Sequence, residues 1–343
     1  MPAGAGWVGV ERKLDFRYLS FRTYFMKRDL LRDDALLLLS SAIWGFAFVA
    51  QRVGMEHLGP FTFNGIRFAL GSLSLLPLIL IRRRGGPAGQ VMAVGAARGA
   101  AGSALPHREG RRLLRFGLLA GTVLFGGASL QQMGIVSTTA GKAGVITGLY
   151  VVLVPLSGLL WGQRAGRGRW IGALLAIAGL YFLSITGGFS IARGDLLVLI
   201  SAVFWTAHVQ ILGWLSPKVD ALKLSAVQFA VCSLLSMIVA LVAEPIRLGD
   251  VYQAALPILY GGVASVGIAY TLQVVVQKTA HPAHAAILLS LESVFAVLGG
   301  RLLLGETLSV RGLAGCALML AGMVVSQTST LRNPALTRLA RGG

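Results

Sequence analysis

Two side chains in this sequence stand apart chemically from everything around them. Glu292 sits among Leu288, Leu289, Leu291 and Val294, and Arg67 lies one turn after Asn64 in another apolar stretch. An ionisable group at the centre of a bilayer costs about 3 kcal/mol or more, so one that is retained needs a partner or a water-filled space. Desolvation disfavours the charged form of a carboxyl held among leucines. Such a group can take up a proton and release it when a cavity opens to the other side. When ionised it can instead bind a substrate amine. A guanidinium presents a planar fork of donors, which suits an anionic or zwitterionic substrate. Plainer readings compete with these: Glu292 as a hydrogen-bonded packing residue, and Arg67 as an arginine reaching to a membrane boundary.

Other polar residues in apolar runs add to a candidate pathway: Gln131, Gln132, Thr147, His208, Gln210, Gln228, Gln273 and Ser290. Singly, each is more often a hydrogen bond between helices than a substrate ligand. Trp44, Tyr150, Trp205 and Tyr270 can stack on a substrate, although packing is the commoner use of any one of them. The expected substrate or ion pathway is therefore Glu292, Arg67, Gln228, Trp44, Trp205, His208, Tyr150, Gln131 and Gln273. Gly126, Gly127, Gly179, Gly299, Gly300 and Gly322 permit close helix approach, which is packing rather than chemistry. His281-Pro282-Ala283-His284 has two histidines but no acid or cysteine nearby, and reads as a helix entry rather than a metal site. Cys232 and Cys316 lie in apolar runs without ligand spacing and read as small core residues. There is no nucleophile elbow, phosphate-cradling loop or zinc signature, so neither a catalytic residue nor a cofactor or metal is expected.

Apolar runs must position these groups. Of 343 residues, 55% are hydrophobic and only 13% are charged, with a mean hydropathy of +0.73. A soluble domain carries about a quarter charged residues. The apolar runs each approach the roughly 20 residues that cross a bilayer as helix. They are continuous rather than alternating, which favours helices over a barrel. The spans are 34–53, 61–81, 113–134, 140–161, 169–186, 195–214, 222–243, 254–277, 283–304 and 309–327. The fold class is all-α integral membrane, with ten transmembrane helices.

A net charge of +18 first suggests nucleic acid, but the basic residues sit between apolar runs and form no basic soluble module. Placing the N-terminus in the cytoplasm puts 24 Lys and Arg residues on that side and six on the other, with Arg67 inside a span. The positive-inside rule then sets both termini and the long 82–112 connection in the cytoplasm of an inner membrane. That connection, rich in Arg, Gly and Ala, reads as a flexible loop. Residues 1–33 read as a basic, irregular segment with mild amphipathicity; residues 1–25 are expected to be dispensable, with Met26 as an alternative start.

The chain divides into a first half over 34–186 and a second over 195–327, followed by a 328–343 tail, and the halves overlay. Trp44 and Arg67 lie 161 positions before Trp205 and Gln228. Ser129-Leu130-Gln131 parallels Thr271-Leu272-Gln273. Gly172 with Ala178-Gly179 parallels Gly315 with Ala321-Gly322, and Gly162-Gln163 parallels Gly305-Glu306. Each half holds an odd number of spans, so the halves cross the membrane in opposite senses. Inverted repeats around a midplane site are a recurring transporter design.

Trp44-Gly45, Arg67-Phe68, Leu291-Glu292, the run Leu304-Gly305-Glu306-Thr307-Leu308, Gly315 and Leu320-Ala321-Gly322 together resemble the EamA-type transporters of the drug/metabolite transporter superfamily, over roughly residues 26–327. The resemblance implies two five-helix repeats, cytoplasmic termini, and export of small metabolites, amino acids or drugs. Two departures stand out. Glu292-Ser293 replaces a frequent Glu-Pro, which removes the residue expected to kink that helix. Gly162-Gln163-Arg164 replaces a frequent Gly-Glu-Arg, which removes one polar anchor.

The leading expectation is a secondary transporter working by alternating access. Its partners are the lipid bilayer, a small-molecule substrate and a proton as candidate coupling ion; a homodimer is allowed. One rival is a membrane-embedded enzyme acting on lipid-linked substrates, which needs a boundary cluster of acids or histidines that the sequence lacks. The other is a structural or receptor bundle.

Overall fold

Many polar side chains are buried here and many large apolar ones are exposed, unlike the surface of a soluble protein. Ser40, Gln51, Asn64, Arg67, Gln132, Gln228 and Glu292 are buried, while Leu73, Leu118, Ile177, Leu241 and Leu302 are exposed. A hydrocarbon surrounding makes that arrangement favourable, because lipid cannot satisfy a polar group and has no quarrel with leucine.

The computed structural model describes residues 8–84, 106–161, 166–186, 190–215, 218–276 and 282–331. Among the described residues nine helices are long and apolar enough to cross a membrane: α1 (Leu31–Gly54), α2 (Pro60–Arg82), α3 (Glu109–Ile135), α4 (Ala140–Leu160), α6 (Arg193–Leu215), α7 (Ala221–Ala243), α8 (Ala255–Gln273), α9 (Ala285–Leu304) and α10 (Val310–Gln327). The remaining expected span is α5 (Arg167–Ser184), whose first turn carries Arg167 and Arg169 and so has a lower hydropathy. It packs along the whole of α10. A two-residue antiparallel pairing, Ile185 with Ile191 and Thr186 with Ser190, links the halves.

The helix pairs reveal the duplication in space. α1 packs on α9 as α6 packs on α4; α1 meets α8 as α6 meets α3; α2 meets α8 as α7 meets α3. The pairs α2 with α7, α4 with α9 and α5 with α10 join each helix to its own counterpart. This is the contact pattern of a two-fold axis relating two inverted halves. The α5–α10 contact shows it atom by atom. A β-carbon built on Gly172 would stand 2.6 Å from the Gly322 carbonyl oxygen, and one on Gly315 would stand 2.7 Å from that of Gly179. Gly172 is the counterpart of Gly315, and Gly179 of Gly322, so the two contacts are one contact repeated.

Three expectations need correction. The segment before α1 is not irregular from Val8 onward: a single helix runs Val8–Gly54, about 70 Å long at 1.5 Å per residue. The long connection is shorter than 82–112, because α3 belongs to a helix that starts at Pro106; residues 85–105 lie outside the described residues. The loss of proline at position 293 does not straighten α9. Its two pieces, Pro282–Ser290 and Glu292–Leu304, are separated at Leu291. The Leu291 amide donates to the Leu288 carbonyl at 3.2 Å, three residues back instead of four. Ser290 Oγ donates to the Ile287 carbonyl at 2.7 Å, the kind of side-chain insertion that bends a helix. α4 breaks at the equivalent place, between Ala140–Thr147 and Tyr150–Ser157, where the Leu149 amide donates to Ile146 at 3.1 Å.

One face of the bundle, where α1 ends and α2 begins, is laced by three carboxylates that cross from the second half to the first. Glu306 accepts from the Ala140 and Gly141 amides at 2.7 and 3.0 Å, capping α4. Gly305 makes this reach possible by turning the chain at φ 64°, a left-handed conformation costly for other residues. Glu244 caps α2 through Phe61 and Thr62. Asp195, fully buried, pairs with Lys142 Nζ at 2.7 Å and accepts from the Thr138 hydroxyl. This is called the acid face below, and its opposite the basic face.

Candidate functional site

Between the two faces a polar chain threads five helices. The Trp205 indole N–H donates to Gln131 Oε1 at 2.7 Å, and Gln131 Nε2 donates to Gln51 Oε1 at 3.1 Å. Gln132 Nε2 donates to the Gln51 carbonyl at 3.2 Å. The Trp205 ring meets His208 edge-on, with centroids 5.9 Å apart. Gln228 Nε2 donates to Tyr270 Oη at 3.3 Å, and Gln228 Oε1 lies 2.8 Å from His208 Nε2. α1, α3, α6, α7 and α8 each contribute to this chain, and all of its amides are buried.

The repeat places the two tryptophans alike. Trp44 on α1 donates to the Ser265 carbonyl of α8 at 3.0 Å, as Trp205 on α6 donates to Gln131 of α3. Trp44 lies ten residues before the end of α1 and Trp205 twelve after the start of α6. At 1.5 Å per residue both are about 15–18 Å from the acid face, the middle of a core about 30 Å thick.

Arg67 is buried and faces inward. Its Nε donates to Asn64 Oδ1 at 2.9 Å, and Asn64 Nδ2 donates to the Ala128 carbonyl at 3.1 Å. The guanidinium carbon lies 4.8 Å from the Phe68 ring centroid and 5.6 Å from that of Phe63. A snorkelling arginine would reach for water; this one is folded back between rings. α8 passes close by through a π-helical stretch, Tyr260–Ala269. A β-carbon on Gly262 would stand 2.8 Å from the Arg67 carbonyl, so the approach depends on glycine there. Among the described residues no carboxylate pairs with Arg67.

Glu292 is buried too, at the first turn of the inner piece of α9 and about 18 Å from the acid face. A carboxylate there has the favourable sign for a helix start. Tyr150, just past the break in α4, lies within electrostatic range of it. Ser293 Oγ donates to the Gly144 carbonyl at 3.2 Å, tying α9 to α4 beside the breaks.

Of the pathway residues read from the sequence, the fold brings Trp205, Gln131, His208 and Gln228 into one network and sets Tyr150 near Glu292. Trp44 occupies the repeat-equivalent position of Trp205. Gln273 is half-buried and takes no part in the network among the described residues. Gln210 is the helix glue that a lone glutamine usually is: its Nε2 donates to the Val154 carbonyl at 3.0 Å and to Ser157 Oγ at 2.6 Å. Gln51 escaped the sequence reading because it adjoins Arg52 at a span end; its polarity inside an apolar run was the available signal. The acids Asp195, Glu244 and Glu306 escaped it as site-forming groups because their partners are backbone amides and a lysine far away in sequence. His281 lies outside the described residues, as does the side chain of His284. Among the described residues no cluster of acids, histidines and cysteines has metal-ligand geometry.

An all-α multi-pass membrane protein, built as two inverted five-helix halves around a buried polar site, is the class that this architecture defines. The chain belongs to the EamA-like transporter family, whose model matches residues 32–185 and 192–328, once in each half. An uncharacterised transporter of Archaeoglobus fulgidus is 28% identical over 297 residues, covering 86% of this chain and 85% of that protein. The inner membrane transporter YedA of Escherichia coli K12, likewise uncharacterised, is 26% identical over 288 residues, covering 82% and 86%. A solved crystal structure superposes with a TM-score of 0.56 at 21% identity, covering 90% of this chain and 98% of the other, a likeness of fold. The chain is a membrane transporter in its general role.

Proposed function

We propose that the protein is a secondary transporter of the inner membrane that exports small metabolites, amino acids or drugs by alternating access. Its termini lie in the cytoplasm. The observation that carries this reading is the pair of helix breaks at repeat-equivalent, mid-membrane positions, only one of which bears a carboxyl: Leu149 stands in α4 where α9 has Glu292. Symmetric breaks give both halves a hinge at the same depth, as rocking one half against the other requires. An asymmetric carboxyl supplies one site for a proton or an amine. Arg67 supplies a cation for the acidic end of a substrate, and Trp44 and Trp205 offer flat faces at mid-membrane depth.

Purified protein reconstituted in liposomes tests the reading. Solute flux across the membrane, stimulated by an imposed proton gradient, is the expected result for a substrate drawn from amino acids and small carboxylates. Chemical conversion of a substrate without flux would replace transport with an enzyme.

A further inference from the structure

At the acid face the end of α7 and the start of α2 are joined through one carboxylate. Glu244 accepts from the Phe61 and Thr62 amides at 2.9 and 2.7 Å, and from the Thr62 hydroxyl at 2.7 Å. Gly59 leaves room for it, since a β-carbon there would run into the carboxylate. The repeat exchanges α2 and α7, so the same junction recurs at the basic face, between the end of α2 and the start of α7. Ala240, Ala243, Gly59, Phe61 and Thr62 of the first junction correspond, 161 positions apart, to Ile79, Arg82, Asp220, Leu222 and Lys223 of the second. Those five residues line a recess of about 160 Å³. At the position of Glu244 the sequence has Arg83. The junction has thus exchanged its bridging acid for a recess bordered by cations.

The one acid in the recess does not replace the bridge. Asp220 Oδ1 accepts from the Leu222 and Lys223 amides at 2.9 and 3.0 Å, capping its own helix and not reaching α2. Arg82 and Lys223 form no ion pair among the described residues. The recess lies where the apolar run Pro60–Arg82 ends, which is the hydrocarbon boundary. Leu80 and Ile81, between the lining residues Ile79 and Arg82 on α2, are 50% and 64% exposed.

We propose that this recess binds the phosphate of an anionic phospholipid, which bridges the ends of α2 and α7 at the basic face as Glu244 does at the acid face. Phosphate oxygens accept from Arg82 and Lys223 in charge-assisted hydrogen bonds. Ile79 and Leu222 give the glycerol and upper acyl carbons an apolar wall. A soluble phosphate has the same headgroup chemistry but no use for that wall or for the exposed Leu80 and Ile81.

The test uses the purified full chain in detergent, with thermal stability and native mass spectrometry as readouts. Phosphatidylglycerol is expected to raise the melting temperature and to survive as a bound adduct, whereas phosphatidylcholine and inorganic phosphate leave stability unchanged. The double variant R82Q/K223Q is expected to lose affinity for phosphatidylglycerol on the order of tenfold, and R247Q at the acid face to lose none. Undiminished binding by the double variant overturns the proposal, as does equal protection by phosphatidylcholine or by inorganic phosphate. If the double variant does not fold, K223Q and K223R decide. Loss in the first with retention in the second is expected, and equal binding by both overturns the site.

Discussion

Glu292 is where a single substitution separates the competing roles most sharply. Glu292→Gln keeps shape and hydrogen bonding, so the chain is expected to insert and fold, to lose proton-driven accumulation in liposomes, and to retain passive exchange. Glu292→Leu copies Leu149 from the other half. A packing residue would tolerate it, so active accumulation by both variants would leave Glu292 as structural. Arg67 calls for a different comparison. Arg67→Lys keeps the charge but loses the planar fork that engages Asn64 and lies over Phe68. Carboxylate-bearing substrates are expected to lose about tenfold or more in transport with lysine and more with alanine, on the loss of one charge-assisted bidentate contact. Normal transport by Arg67→Ala would return Arg67 to an anchoring role.

Among the elements, α5 and α10 pack against each other through glycine, which sets their distance. With the Gly322 carbonyl oxygen 2.6 Å from where a β-carbon would stand, Gly172→Ala forces the helices apart and is expected to cost about 1–3 kcal/mol. Gly315→Ala meets the same obstacle in the other half, where the Gly179 carbonyl lies 2.7 Å away. Both variants should melt earlier than the parent protein in detergent by similar amounts. A substitution at Gly110, around which nothing lies within 4 Å, should leave the melting temperature alone. An undisturbed melting temperature in Gly172→Ala would mean that the pair is looser than the backbone geometry requires.

For the molecule as a whole, the basic residues predict the orientation, and the orientation is open to direct measurement. Gly110→Cys places a thiol at an exposed position on the basic face, and Leu248→Cys places one at an 87% exposed position on the acid face. In intact cells an impermeant thiol reagent is expected to label position 248 and to spare position 110; labelling at 110 would invert the molecule. The acid ties give the orientation a mechanical meaning. Glu244, Glu306 and Asp195 join the two halves on one face, so opening that face must break contacts between the halves.

The sequence by itself determined the all-helical membrane class, the duplication of its two halves and the family resemblance. These depend on local hydropathy and on identities repeated at a fixed spacing, and both can be read along the chain. It also singled out Glu292 and Arg67, because a charge among leucines is costly wherever the leucines fold. The tertiary structure decided which polar residues meet. Trp205 reaches Gln131 across 74 positions and Gln327 reaches the Val151 carbonyl across 176, and no local pattern encodes such partners. It also decided that α9 breaks without a proline, through Ser290 and the backbone, and that Glu306 serves the start of another helix. A hydrogen bond depends on where two groups stand in space, and only the packing of helices around the two-fold axis sets that.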